Sequence, residues 1–198
     1  IFRRTSSAFF GVSAAAVRWL SHFGIAGNGV IPNGVEPADF DGIRPAERSE
    51  FGLKPTDFAV VFAGRLLTEK GVLDLAEAVR SLDDPAVKLV FAGSGPPEVE
   101  AKLRGESCVA FVGMLDHGGW LRLLASCDVL CLPTRYPEGL PTVILESGML
   151  GIPVIASDAG GIVEVVRDEV SGRIVRSGDV GAIAAGDRRA PHPRWGAD

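Results

Sequence analysis

From Phe58 onward, short unbroken apolar runs alternate with helical patterns, and few folds satisfy that alternation. The runs are Ala59 to Ala63, Lys88 to Ala92, Val109 to Val112, Asp128 to Leu132 and Val154 to Ala156. They are rich in Val, Ile, Leu and Phe and lack polar alternation, the pattern of strands buried on both faces. Between them lie Gly71 to Leu82, Pro97 to Arg104, Gly118 to Ser126 and Thr142 to Leu150. The first of these places Val72, Leu75, Ala76 and Val79 on one helical face. The order predicts an α/β domain, a Rossmann-like parallel sheet with helices on both faces. Ligands of such sheets bind beyond the carboxyl ends of the strands, so the segments after each strand carry the chemistry.

The chain has 198 residues, enough for one domain plus extra segments without disulfides or metal. Residues 1–40 hold one helical stretch, Ala14 to Phe23, and the turn-rich Ile31-Pro32-Asn33-Gly34-Val35, and read as an inter-domain segment. Residues 41–178 form the predicted sheet domain. Residues 179–198, with Pro191 and Pro193, read as a loose tail. A net charge of −5 argues against a nucleic-acid partner. Cys108, Cys127 and Cys131 form no C-x-x-C pair and read as small buried hydrophobes of a reducing compartment. No stretch reaches the ~20 apolar residues that span a bilayer, so the expected setting is cytoplasmic, with membrane-peripheral attachment left to a partner. Ile1 at the start reads as a fragment or a partial reading frame, which also sets aside a signal peptide at Arg3-Arg4.

Four strand exits hold candidate chemistry. Gly64-Arg65 and Lys70-Gly71 flank the first, where Arg offers a fork of donors and Lys a compact charge for phosphate oxygens. The helix that follows adds the positive potential of its N-terminus. By spacing alone a solvated basic loop is the favoured reading. Gly93-Ser94-Gly95 lacks the third glycine of a dinucleotide fingerprint and is otherwise a strand-to-helix turn. After the run ending at Leu132, the loop through Pro137, Glu138 and Gly139 enters a helix at Pro141. Glu138 then lies in the loop and Glu146 within the helix, two carboxylates on either side of an anion-binding helix start. They are also compatible with a turn residue and a half-buried helix acid. Gly160-Gly161 with Glu164 follows the last run and reads as a close backbone approach or a plain tight turn.

Together these residues resemble the C-terminal, donor-binding domain of family 4 glycosyltransferases, the C-terminal half of a GT-B fold. The matches run in order: Ile31 to Val35, Gly64-Arg65, Lys70-Gly71, Gly93-Ser94-Gly95, Phe111-Val112-Gly113, Glu138-x7-Glu146, and Gly160-Gly161 with Glu164 and Gly172. They cover about Val12 to Gly178. The resemblance implies transfer of a sugar from a nucleotide-sugar, with retention at the anomeric carbon and without a bound metal or other cofactor. It assigns catalytic roles to Arg65 and Lys70 at the donor diphosphate and to Glu138 at the sugar. It assigns donor binding to Gly64, Gly93, Gly113, Met114, Gly139, Leu140 and Glu146, the last at the ribose hydroxyls. It also implies an N-terminal acceptor domain that this sequence lacks, so the chain is expected to be inactive alone.

Three other readings fit parts of the pattern. A non-catalytic nucleotide-sugar-binding module would keep Arg65, Lys70 and Glu146. A sugar-nucleotide epimerase shares the architecture but would not be expected to carry both residue sets. A dinucleotide oxidoreductase lacks its G-x-G-x-x-G. Asp39-Phe40-Asp41 matches the D-x-D metal signature of a different transferase fold and reads as chance, because it precedes the sheet.

Overall fold

The computed structural model describes residues 8–189. Its centre is a parallel sheet of six strands: β3 (Phe58–Ala63), β4 (Val87–Ala92), β5 (Val109–Gly113), β6 (Val129–Leu132), β7 (Val154–Ser157) and β8 (Gly172–Val175). The five predicted runs are the first five of these. Their order across the sheet is β5-β4-β3-β6-β7-β8, so the chain reverses direction between β3 and β6. Helices α2 (Val72–Ser81), α3 (Pro97–Arg104), α4 (His117–Ser126) and α5 (Thr142–Met149) connect the strands. Right-handed crossovers that progress in opposite directions from β3 and β6 place helices on both faces. The core between these layers includes Phe62, Phe91, Leu89, Leu124 and Leu130. Phe62 and Phe91 meet edge-to-face at 5.7 Å between ring centroids.

Two elements depart from the sequence reading. β8 is an edge strand with Arg173 and Ile174 only partly buried between Gly172 and Val175, so it shows no unbroken apolar run. The expected loose tail contains helix α6 (Val180–Arg189), so a boundary at residue 178 falls ahead of an element of the domain. Its small residues look weakly apolar, yet one stripe suffices. Ile183 is buried, and Val180 and Ala184 pack against the core. The stripe meets Leu75, Ala78 and Val79 of α2 and Ile155 of β7 around a void of only 10 Å³. Asp179 caps the helix by accepting from the amide of Ala182 at 2.8 Å. Pro191 and Pro193 lie outside the described residues.

Ahead of the sheet, β1 (Phe10–Gly11) and β2 (Gly29–Val30) pair in parallel around α1 (Ala14–Ser21). A 3-10 turn at Arg48–Phe51 then anchors the segment leading into β3. The Arg48 guanidinium donates to both carboxylate oxygens of Asp128 at 3.0 Å, to the carbonyl of Ser126 and to that of Asp57. Asp128 accepts in turn from the amide of Ala59 at 2.7 Å. One side chain therefore holds the starts of β3 and β6 together from below. Cys127 and Cys131 are buried as expected and Cys108 half-buried. Burial pushes the Cys127 thiol up to about 12. Among the described residues, no helix is long and apolar enough to cross a membrane.

Replacing Arg48 with alanine strands the Asp128 carboxylate and the two carbonyls, and should cost about 2–3 kcal/mol of stability. Urea denaturation of the variant and the parent chain measures this. An unchanged midpoint would show that water replaces the guanidinium without loss.

Candidate functional site

The site is built from the loops that leave the carboxyl ends of the strands. On one side of the reversal, the exits of β3, β4 and β5 are sewn together by their backbones. The amide of Gly64 donates to Ala92, that of Leu66 to Ser94, and that of Gly93 to Gly113, at 2.7–3.0 Å. Gly93 has φ +138° and lies on the Gly64 carbonyl, where a Cβ would collide. The Gly95 amide donates to Glu100 at 3.0 Å, and this backbone bond, followed by Arg104, holds the Glu100 carboxyl below its ordinary pKa. Gly64, Arg65, Gly93, Met114 and Trp120 line a cleft of 270 Å³ here, with Met114 standing 79% exposed.

On the other side, the exits of β3, β6 and β7 meet. After β3 the chain makes a 3-10 turn at Thr68–Lys70, closed by Gly71 in a left-handed conformation against the Pro133 carbonyl. The amide of Arg135 donates to the Glu69 carbonyl at 2.7 Å. The Arg135 guanidinium forks onto Asp74 in the first turn of α2, at 2.6 and 2.8 Å. That contact raises the guanidinium's pKa above its ordinary value. These ties bring Lys70 and Glu138, far apart in sequence, into an ion pair of 2.5 Å with both side chains about one-fifth exposed. Glu138 is fixed from behind as well, because its carbonyl accepts from Gly161 at 2.9 Å.

Glu146 sits in the second turn of α5 and is 7% exposed. Its carboxylate accepts from the Trp120 indole N–H at 2.6 Å, and the His117 Nε2 lies 3.5 Å from the other oxygen. His117 also reaches to 3.8 Å from Asp39, which sits in the 3-10 turn Pro37–Phe40. Trp120 therefore connects Glu146 to the cleft at Arg65 and Gly93. Leu140 is buried and its carbonyl accepts from the Asn33 side chain at 2.7 Å, which ties the Ile31 to Val35 segment to the loop before α5. Gly139 and Glu138 face a second cavity, of 390 Å³, whose far wall is α1 with Arg18 and Trp19.

All ten site residues read from the sequence thus lie at strand exits or on α5, in two adjoining groups around the reversal. Lys70 and Glu138 touch. Arg65, Gly64, Gly93 and Met114 share one cleft. Glu146 reaches that cleft only through Trp120. Sequence reasoning missed His117, Trp120, Asp74 and Arg135. For Trp120 a signal existed, since a tryptophan on an apolar helix face needs an acceptor for its N–H. For the Asp74–Arg135 fork there was none. Among the described residues, no group of three or more His, Cys, Asp or Glu side chains is placed to hold a metal ion.

The family model for glycosyl transferases group 1 matches residues 43–190. A teichuronic acid biosynthesis glycosyltransferase, TuaC of Bacillus subtilis, is 35% identical over 136 residues, which are 67% of this chain and 34% of that protein. Glycogen synthase of Mycobacterium tuberculosis is 35% identical over 173 residues, 83% of this chain and 40% of that protein. The chain therefore spans well under half the length of these curated relatives. Among solved structures, Anabaena HepE in complex with UDP-glucose superposes with a TM-score of 0.83 at 25% identity, over 94% of this chain and 54% of that one. Sucrose-phosphate synthase of Thermosynechococcus elongatus gives 0.78 at 26% identity, over 93% and 49%. The GT-B likeness of the sheet and its helices holds across these structures.

The Trp120–Glu146 bond gives a direct test of the geometry. Glu146→Gln keeps an acceptor for the indole N–H and should change stability by less than about 1 kcal/mol. Glu146→Leu leaves that N–H buried and unpaired and should cost about 2 kcal/mol. Equal denaturant midpoints for the two variants would contradict the bond.

Proposed function

The chain belongs to the glycosyl transferases group 1 family, and from that premise we propose that it binds a nucleotide-sugar and carries the donor side of sugar transfer with retention. The observation that carries this reading is the Lys70–Glu138 pair where the β3 and β6 exits meet, with Arg65 in the cleft that Trp120 links to Glu146. In this reading the base lies along Gly113 and Met114, and the ribose hydroxyls donate to the free lone pairs of Glu146. The diphosphate lies between Arg65, Lys70 and the amides at the start of α5, with the Gly139-Leu140 backbone beside it. The sugar faces Glu138. Three of the proteins above support it in kind, since two are named for transfer or synthesis of saccharides and one holds UDP-glucose.

The chemistry asked of these residues is electrostatic. As the sugar–phosphate bond breaks, its electron pair stays on the phosphate oxygen, and fixed cations aimed at that oxygen lower the barrier. Lys70 donates one of its three N–H bonds to Glu138, which leaves two for phosphate oxygens. The acceptor hydroxyl attacks the face from which the phosphate departs, and its proton passes to the leaving phosphate, so no protein base is required. Arg65, Lys70 and a helix terminus supply the neutralisation that a metal gives elsewhere. Holding the acceptor falls in this proposal to a second domain, because near-attack positioning is worth about 7–11 kcal/mol of the barrier.

Calorimetric titration of the full chain with UDP, GDP and ADP and their sugar conjugates tests the proposal. One family of diphosphates should bind, with or without chelator. Lys70→Ala and Arg65→Ala should each weaken that binding by about 1.5–3 kcal/mol while leaving nucleoside binding unchanged. The two losses should not add, since both cations face one anion. Folded variants with unaltered diphosphate affinity would reduce the basic loop to a solvated turn.

A further inference from the structure

No side chain of helix α1 is fully buried, so core packing alone does not fix its place on the domain. Val12 and Ser13 at its start lie against Gly139 and Gly161, and polar contacts complete the attachment. Glu164, in the 3-10 turn Ile162–Glu164 after β7, accepts from the amide of Ala14 through one carboxylate oxygen and from that of Ala15 through the other, both at 2.8 Å. Ser13 is buried and its Oγ accepts from Ala16 at 3.0 Å. Three first-turn amides are thereby satisfied, two of them by a carboxylate about 150 residues away in sequence. An anion at a helix N-terminus is also favoured by the helix dipole.

The same short segment holds the opposite wall. Gly161 donates to the Glu138 carbonyl at 2.9 Å and Gly160 pairs with Glu138. Residues 160–164 therefore grip α1 with one end and the Glu138 loop with the other. Between those walls lies the 390 Å³ cavity, with Arg18 and Trp19 of α1 facing Glu138 and Gly139. Trp19 is half-exposed and meets Phe23 edge-to-face at 4.6 Å, so this wall brings an aromatic ring and the Arg18 guanidinium donors to the cavity. Nothing in the roles proposed above uses Glu164.

We infer that Glu164 is a positioning residue, which sets the width of the sugar end of the donor site by clamping α1 opposite Glu138. The inference rests on the donor-binding reading. It predicts that loosening the clamp is felt by the sugar and not by the nucleotide. Glu164 is exposed, so Glu164→Ala removes both acceptors without touching the core.

The test compares the parent chain and Glu164→Ala in two measurements. Hydrogen exchange should quicken roughly tenfold at the amides of Ala14 and Ala15 in the variant, the scale of a lost helix cap, with the amides of β3 unchanged. Titration then compares UDP with UDP-glucose, GDP with GDP-mannose, and ADP with ADP-glucose. For the pair that binds the parent chain, the variant should lose about fivefold or more in affinity for the nucleotide sugar and less than about twofold for the diphosphate. Unchanged exchange at Ala14 and Ala15 would overturn the clamp. Faster exchange with equal losses for both ligands would overturn its role at the sugar. A parent chain that binds none of the diphosphates would overturn the donor-binding reading, and the inference with it.

Discussion

The reversal of strand order between β3 and β6 is the constraint on which the site depends. Two neighbouring parallel strands whose following helices travel in opposite directions leave a crevice at their carboxyl ends, because no connection crosses it. In this chain the crevice is not left open-ended. The Arg135 fork on Asp74 and the Arg135 amide on Glu69 tie the β6 exit to the β3 exit across it. The Lys70–Glu138 pair then forms where the two exits meet. At the opposite end of the sheet, Arg48 and Asp128 hold the same two strands. The crevice is thus braced above and below by groups with no need to touch a ligand.

Charge distribution follows from that bracing. The chain carries a net charge of −5, yet the loop leaving β3 carries both Arg65 and Lys70, and Lys70 pairs with Glu138 in the loop ahead of α5. A pair like Lys70–Glu138, about one-fifth exposed, adds little net stability because desolvation offsets its Coulomb attraction. Its value lies in geometry, since each partner holds the other at the edge of the crevice before a ligand arrives. Glu146 is different in kind. Its burial would be costly without a donor, and the Trp120 indole supplies one. The result is a carboxylate held in one orientation from within the domain.

Much of this was legible in the sequence. Strands buried on both faces leave unbroken runs, so β3 to β7 stood out, and the glycines and charges after them marked the exits. The edge strand β8 did not, because it is four residues long, starts at Gly172 and is interrupted by Arg173. Helix α6 was hidden by composition: a stripe of Val180, Ile183 and Ala184 among small and charged residues looks like tail, and becomes helix only against α2. Residues whose place follows from their own loop, such as Arg65 and Lys70 beyond β3, were readable. Those that act through a distant element were not. Asp74 with Arg135, and Glu164 with the start of α1, are pairings that tertiary structure alone creates.

The central claim is that the crevice at the reversal binds a nucleotide-sugar through Lys70 and Arg65. A crystal structure of the chain with its bound nucleotide-sugar tests that most directly. The account predicts phosphate oxygens within hydrogen-bond distance of Lys70 Nζ and the Arg65 guanidinium, with the ribose hydroxyls on Glu146. A diphosphate seated away from Lys70 and Arg65, or a ribose that leaves Glu146 to Trp120 alone, would contradict it.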